Sequence, residues 1–175
     1  MPELLLLRHA KSDWKDRRQD DFDRPLAPRG RRAAPLMGQY LCDRGLEPAV
    51  VLCSSARRAR ETLDGLLTAL ASRPEISYLK TLYLAPPSRV LAVLRRQSPT
   101  CGRIMLIAHN PGMQNLALEL AGHSGGAAAA SRAARDLALK YPTAALARFQ
   151  VAAWHSLGSE PSRLLDFVRP RDLAD

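Results

Sequence analysis

The sequence predicts an α/β fold around a central sheet, and three observations carry that prediction. Apolar runs at residues 4–7, 50–53 and 104–108 are bounded by polar residues and too short for helices, so they read as buried strands. Segments with leucines three and four apart lie between them, as helices packed on a sheet require. The first run ends in Arg8-His9 and the third in His109. In open α/β sheets, chemistry collects at the C-terminal ends of the strands.

Taken in order, residues 4–7 are four leucines and form the first strand. Residues 31–41 read as a helix ending near Gly45, and residues 50–53 as the second strand. Residues 59–71 carry Leu63, Leu66, Leu67 and Leu70 at helical spacing, with a stop at Pro74. A short strand follows at 76–79. Residues 88–96 put Val90, Leu91 and Leu94 on one face, with Ser88 as the expected N-cap. Residues 103–108 are the next strand, and residues 113–120 a helix ended by Gly122. Strands at 146–151 and 164–168 close the pattern. Two stretches break it. Residues 13–30 are charged and proline-bearing, a long loop directly after His9, where a lid or substrate loop would sit. Residues 125–138 are alanine-rich behind Gly-Gly and read as a loop feeding a helix. No repeat and no linker divides the chain, so one domain is expected over residues 1–175.

Composition narrows the class. An apolar content of 46% excludes a disordered chain. The net charge is +9, and only Lys11, Lys15, Lys80 and Lys140 of the cations are lysines. Arginine suits phosphate recognition through its planar fork. Most of these arginines are nevertheless expected on solvated surface. Cys42, Cys53 and Cys101 are odd in number and form no C-x-x-C pair, which argues against a disulfide framework and for a reducing compartment. The N-terminal leucine run is too short for a signal peptide and lacks a basic segment before it. No run reaches the ~20 apolar residues of a membrane helix. A cytoplasmic protein is expected, and nothing demands more than a monomer.

Four residues carry the chemistry. Arg8 and His9 end the first strand, Arg58 follows the second, and His109 ends the strand at 103–108. Neighbouring strands would bring them into one pocket, an anion site with a nucleophile in it. His123 and His155 have no such company and are assigned to structure or surface, and Trp154 to the core or a sheet edge.

At these residues the sequence resembles the histidine phosphatase superfamily, with its phosphoglycerate-mutase-like fold. Arg8-His9 matches the Arg-His signature, Arg58-Ala59-x-x-Thr62 the second arginine motif, and His109 in Ala-His-Asn-Pro-Gly the second histidine. The second motif selects Arg58 over Arg57. The closer resemblance is to the SixA-like phosphohistidine phosphatases. It rests on Arg8 to Trp14, on Asp23-Arg24-Pro25-Leu26, on Arg29-Gly30, and on the segment from Lys140 to Leu146. The resemblance runs over essentially the whole chain. It implies a three-layer α/β/α sandwich with a mostly parallel sheet.

The chemistry explains the residue types. Arg8 and Arg58 would neutralise a phosphoryl group with bidentate hydrogen bonds. Neutral His9 would attack phosphorus in line, giving a covalent phosphohistidine, and His109 would donate to the phosphoryl oxygens. Water would then release phosphate. Charge comes from the protein, so no cofactor or metal is expected. Ser12 and the backbone N–H of Asn110, before the helix at Met113, are further candidates for substrate binding. The competing role for both is loop structure or capping.

One departure is informative. Mutase-like members carry a glutamate acid after the third strand, whereas residues 80–85 here read Lys-Thr-Leu-Tyr-Leu-Ala. An alcohol leaving group needs a proton from such an acid, and imidazole does not. Asp13 and Asp16 are the candidate substitutes in the loop. The expected function is therefore a protein histidine phosphatase, with phosphate or sulfate as anions its pocket would take. The alternative within the fold is a small-molecule phosphomonoesterase acting on a sugar phosphate, nucleotide or polyphosphate. A non-catalytic phosphate- or nucleic-acid-binding module is the third reading. Nucleic acid is disfavoured, because no basic stripe interleaved with aromatics is present.

Overall fold

The computed structural model describes residues 1–122 and 131–174. A six-stranded sheet organises them: β1 (Glu3–Arg8), β2 (Val50–Ser54), β3 (Glu75–Leu79), β4 (Arg103–Ala108), β5 (Leu146–Gln150) and β6 (Arg163–Val168). The order is β3-β2-β4-β1-β5-β6. β5 alone runs against the others, pairing antiparallel with both β1 and β6. The sheet is thus mostly parallel, as expected.

The leucine run explains the layers. Leu4 and Leu6 point into one core and Leu5 and Leu7 into the other, all four fully buried. A central strand covered on both faces needs no polar alternation. On one face lie α1 (Pro28–Asp43) and α2 (Arg57–Leu67), through Met37, Leu41, Leu63 and Leu66. On the other lie α3 (Pro87–Leu94), α4 (Gly112–Gly122) and α5 (Arg132–Leu139), through Val90, Leu94, Leu116, Leu120 and Leu137. A short α6 (Pro170–Leu173) follows β6.

Several boundaries differ from expectation for local reasons. α1 starts at Pro28, whose fixed φ and missing N–H suit a first helical position, so the loop after His9 ends at residue 27. That loop is also tied down: Ser12 bridges Leu26, and Asp21–Asp23 forms a 3-10 turn. Ser88 is not the N-cap, because Pro86 takes that position two residues earlier and Pro87 begins α3. α2 stops at Leu67 rather than at residue 71. The Thr68 hydroxyl donates to the Gly65 carbonyl, and the Glu47 carboxylate accepts from the N–H groups of Ala71 and Ser72, drawing the chain off the helix. Of the stretch at 125–138 read as a loop feeding a helix, α5 supplies the helix, while residues 125–130 and His123 lie outside the described residues. Trp154 is buried, with its indole N–H on the Cys101 carbonyl, and His155 is exposed. The three cysteines are free, and no helix among the described residues is long and apolar enough to cross a membrane.

Candidate active site

β1, β2 and β4 are neighbours, so their C-terminal ends bring Arg8, His9, Arg58 and His109 together. The His9 and His109 rings lie 5.1 Å apart between centroids. The Arg58 Nε–H donates to His9 Nε2 at 3.3 Å. On its far side, His9 Nδ1 meets the Ala10 carbonyl at 2.7 Å. A carbonyl only accepts, so Nδ1 carries the proton and Nε2 keeps its lone pair. Burial, set only partly against the Ala10 bond, holds the His9 pKa well below the usual histidine value. His9 is therefore a neutral imidazole whose free nitrogen faces a guanidinium.

His109 complements it. Its Nε2 lies 2.7 Å from the Ser54 hydroxyl, at the end of β2. Ser54 Oγ accepts the Ala56 N–H, and its own buried proton has no acceptor among the described residues other than His109 Nε2. That places the imidazole proton on Nδ1. Burial first, then the charge of Arg58, push the His109 pKa down to about 3. Buried His109 Nδ1 and Arg8 Nε have no hydrogen-bond partner among the described residues. Two such donors beside two guanidinium groups are what a phosphoryl-sized anion would satisfy.

The supporting shell gives the Arg58-Ala59-x-x-Thr62 spacing its reason. One turn after Arg58, Thr62 Oγ1 accepts the Ala10 N–H at 2.9 Å and donates to the Arg58 carbonyl at 2.6 Å. α2 is thereby tied to the end of β1. Arg57, by contrast, is exposed and pairs with Glu61 at 2.8 Å. Arg8 Nη1 donates to the Tyr141 carbonyl at 2.9 Å, and the Tyr141 hydroxyl donates to the Leu6 carbonyl and accepts the Ala147 N–H.

Asp21, Tyr83 and Arg24 belong to the cluster and were missed in the sequence. Arg58 Nη1 and Nη2 donate to the Asp21 carbonyl and carboxylate, at 2.5 and 3.0 Å. Tyr83 donates to the same carboxylate, and its ring stands edge-on to His109, 5.4 Å away. Arg24 holds the other carboxylate oxygen. Burial alone would raise the Asp21 carboxyl. The Tyr83 and Arg24 hydrogen bonds and the nearby arginine charges outweigh it and hold the group well below the ordinary carboxylate range. Asp21 stood among five loop aspartates with nothing local to select it; only Arg24, within the Asp23 to Leu26 segment, pointed toward this part of the loop.

Ser12 and Asn110 border this cluster, each with its side chain already engaged. Ser12 accepts from Arg24 Nη1 at 2.7 Å, so its hydroxyl braces the loop. The Asn110 side chain donates to the Tyr141 carbonyl and accepts the Gln114 N–H, bracing the start of α4. Asp13 and Asp16 accept the N–H groups of Lys15 and Arg18 within tight loop turns. Among the described residues, no group of three His, Cys, Asp or Glu side chains is arranged to hold a metal ion.

Residues 4–82 match the histidine phosphatase superfamily (branch 1). An uncharacterized protein of Mycobacterium leprae is 37% identical over 171 residues, covering 94% of this chain and 100% of the relative. The chain belongs to the histidine phosphatase superfamily. Within that superfamily it is SixA-like. A protein of Nakamurella multipartitia, provisionally named phosphohistidine phosphatase SixA, superposes with a TM-score of 0.79 at 28% identity, over 97% of this chain and 96% of that one. The protein histidine phosphatase SixA complexed with tungstate shares the fold at a TM-score of 0.78 and 21% identity, over 98% and 99% of the two chains. Membership places the chain in a superfamily named for its phosphatases.

Proposed function

We propose that this protein hydrolyses phosphohistidine on a protein partner, through a phosphohistidine intermediate on His9. The observation that carries the reading is the binding of the Asp21 carboxylate, which accepts from Tyr83, Arg24 and Arg58 and is thereby held in its ionised form. Among the described residues, it is the one carboxylate hydrogen-bonded to any side chain of the set Arg8, His9, Arg58 and His109, and the bond comes from Arg58. A carboxylate held this far below its usual pKa has no proton to give an alkoxide leaving group. Asp13 and Asp16 are engaged elsewhere, and Tyr83 already donates its proton to Asp21.

A phosphohistidine substrate avoids this requirement. The His9 Nε2 lone pair forms a bond to phosphorus as the bond from phosphorus to the substrate nitrogen breaks. The electron pair departs with the substrate imidazole. When the other ring nitrogen of that imidazole is protonated, it leaves neutral and needs no acid. Arg8, Arg58 and His109 Nδ1–H supply the positive charge around the phosphoryl oxygens, with Arg58 exchanging Asp21 for the substrate. The Nδ1–H bond to the Ala10 carbonyl keeps phosphorylated His9 protonated on its second nitrogen. Water then attacks phosphorus, the electron pair returns to Nε2, and both water protons leave with the phosphate, as dihydrogen phosphate that ionises in solvent. The name and the bound tungstate of the similar SixA structure support an oxyanion site of this kind.

The test compares a phosphohistidine peptide with a matched phosphoserine peptide, using wild type and His9→Ala. Turnover of phosphohistidine alone, abolished in the variant, is expected. Comparable turnover of phosphoserine would mean that an acid operates in the site and would put a small-molecule or broad phosphatase in its place.

A further inference from the structure

The C-terminal edge of the sheet carries a second feature beside the histidine cluster. The cluster spans β2, β4 and β1. A groove of about 480 Å³ lies beyond β1, β5 and β6, bounded by the start of α1, the link from α5 to β5, and the start of α6. Its rim holds Lys11, Arg29, Arg32, Lys140 and Arg171, all exposed. Lys11, Arg29, Arg32 and Lys140 make no side-chain hydrogen bond or ion pair with any described residue. The one described carboxylate on the lining, Asp136, is taken by Arg169 at 3.1 Å and Arg132 at 3.6 Å.

These charges sit where folding disfavours them. Arg29 and Arg32 lie in the first turns of α1, which hold no acidic residue, so they face the positive end of the helix dipole. Their placement lowers helix stability and creates a cationic rim. The floor is apolar, from Leu36, Ala33 and Pro142, and Leu139 at its border is 82% exposed. The groove's lining adjoins the histidine cluster along the chain: Lys11 is two residues beyond His9, and Lys140 precedes Tyr141, whose carbonyl holds Arg8.

We infer that this groove docks an acidic amphipathic helix of the protein that bears the phosphohistidine. The inference rests on the phosphohistidine phosphatase reading and names the partner's chemistry. An apolar floor with a basic rim complements an apolar helical stripe flanked by Glu and Asp. A small polyanion would leave the apolar floor unused. Nucleic acid is disfavoured because no aromatic side chain lines the groove among the described residues to stack a base. The docked helix would present its phosphohistidine toward the His9 end.

The test uses two fluorescein-labelled helical peptides sharing one leucine stripe, one flanked by glutamates and one by lysines, each with a central histidine. Anisotropy with wild type should show at least tenfold tighter binding of the glutamate peptide, weakening as salt rises. Arg29→Glu/Arg32→Glu should lose at least tenfold of that affinity, with kcat/KM on free phosphohistidine within twofold of wild type. Equal affinity for the two peptides, or undiminished binding by the double variant, would overturn the inference. So would single-stranded DNA binding more tightly than the glutamate peptide at the same salt. Selective binding of the glutamate peptide without turnover of free phosphohistidine would leave the docking groove standing and remove the proposed activity instead.

Discussion

Arg58→Lys separates positive charge from geometry at the heart of the site. Arg58 is 2% exposed, and its three donor nitrogens are all directed: Nε to His9, and Nη1 and Nη2 to Asp21. In the proposed reaction the two terminal nitrogens turn to phosphoryl oxygens, and Nε, which orients His9 before attack, gives up Nε2 as its lone pair bonds phosphorus. Lysine keeps the charge but offers a single compact donor group. Losing one charge-assisted hydrogen bond costs about 1.5–3 kcal/mol, and losing the contact that orients His9 about 0.5–1.5 kcal/mol more. The sum, roughly 2–4.5 kcal/mol, corresponds to a fall of about 30- to 2,000-fold in kcat/KM. The assay is initial-rate phosphate release from a phosphohistidine peptide, with circular dichroism to establish that the variant folds. Arg57→Lys should retain wild-type turnover, because Arg57 is exposed and paired with Glu61. Arg58→Lys within threefold of wild type, with Arg57→Lys impaired, would refute the assignment.

Other outcomes follow from the same geometry. His109 titrates at about 3 in the folded chain, against 6.5 for an ordinary histidine, so between these values the unfolded chain binds the extra proton. Stability should be full above about pH 6.5 and fall as pH drops toward 3, with His109→Gln flattening urea midpoints across that window; the same slope in wild type and variant would contradict the burial of neutral His109. A Cβ on Gly112 would fall on the backbone carbonyl of Ala85, so Gly112→Ala should displace the start of α4, lower stability by about 1–3 kcal/mol and reduce turnover. An unchanged urea midpoint would show that the two segments yield. Arg29→Glu should raise stability by about 0.3–1 kcal/mol through the helix dipole while weakening binding of the acidic peptide, a divergence that unfolding and anisotropy measurements reveal together.

The parts of this protein written in local pattern were legible in its sequence, and the parts written in loop path were not. Four consecutive leucines specify a strand buried on both faces, and the Arg-His pair beyond them marks the edge where chemistry collects. β1, β2 and β4 follow from unbroken apolar runs, whereas β3, β5 and β6 were read from mixed stretches that carry Ser77, Arg148 and Asp166. Helix ends were less legible: a carboxylate as distant in sequence as Glu47 helps to terminate α2. Asp21 shows the limit most clearly. Its position depends on the Ser12–Leu26 bridge, on Arg24 and on Tyr83, 62 residues away. Tyr83 itself was visible only as part of the stretch lacking a glutamate. The structure gives it a role there, donating to the carboxylate and standing against His109.

The most direct measurement is the site of the covalent intermediate. Wild-type protein mixed with a phosphohistidine peptide, quenched within milliseconds and kept alkaline, should carry a phosphoryl group on His9 at Nε2 when mapped by mass spectrometry and NMR. His9→Ala should carry none and turn nothing over. Turnover with the phosphoryl group on His109, or undiminished turnover in His9→Ala, would contradict the assignment of His9 as nucleophile.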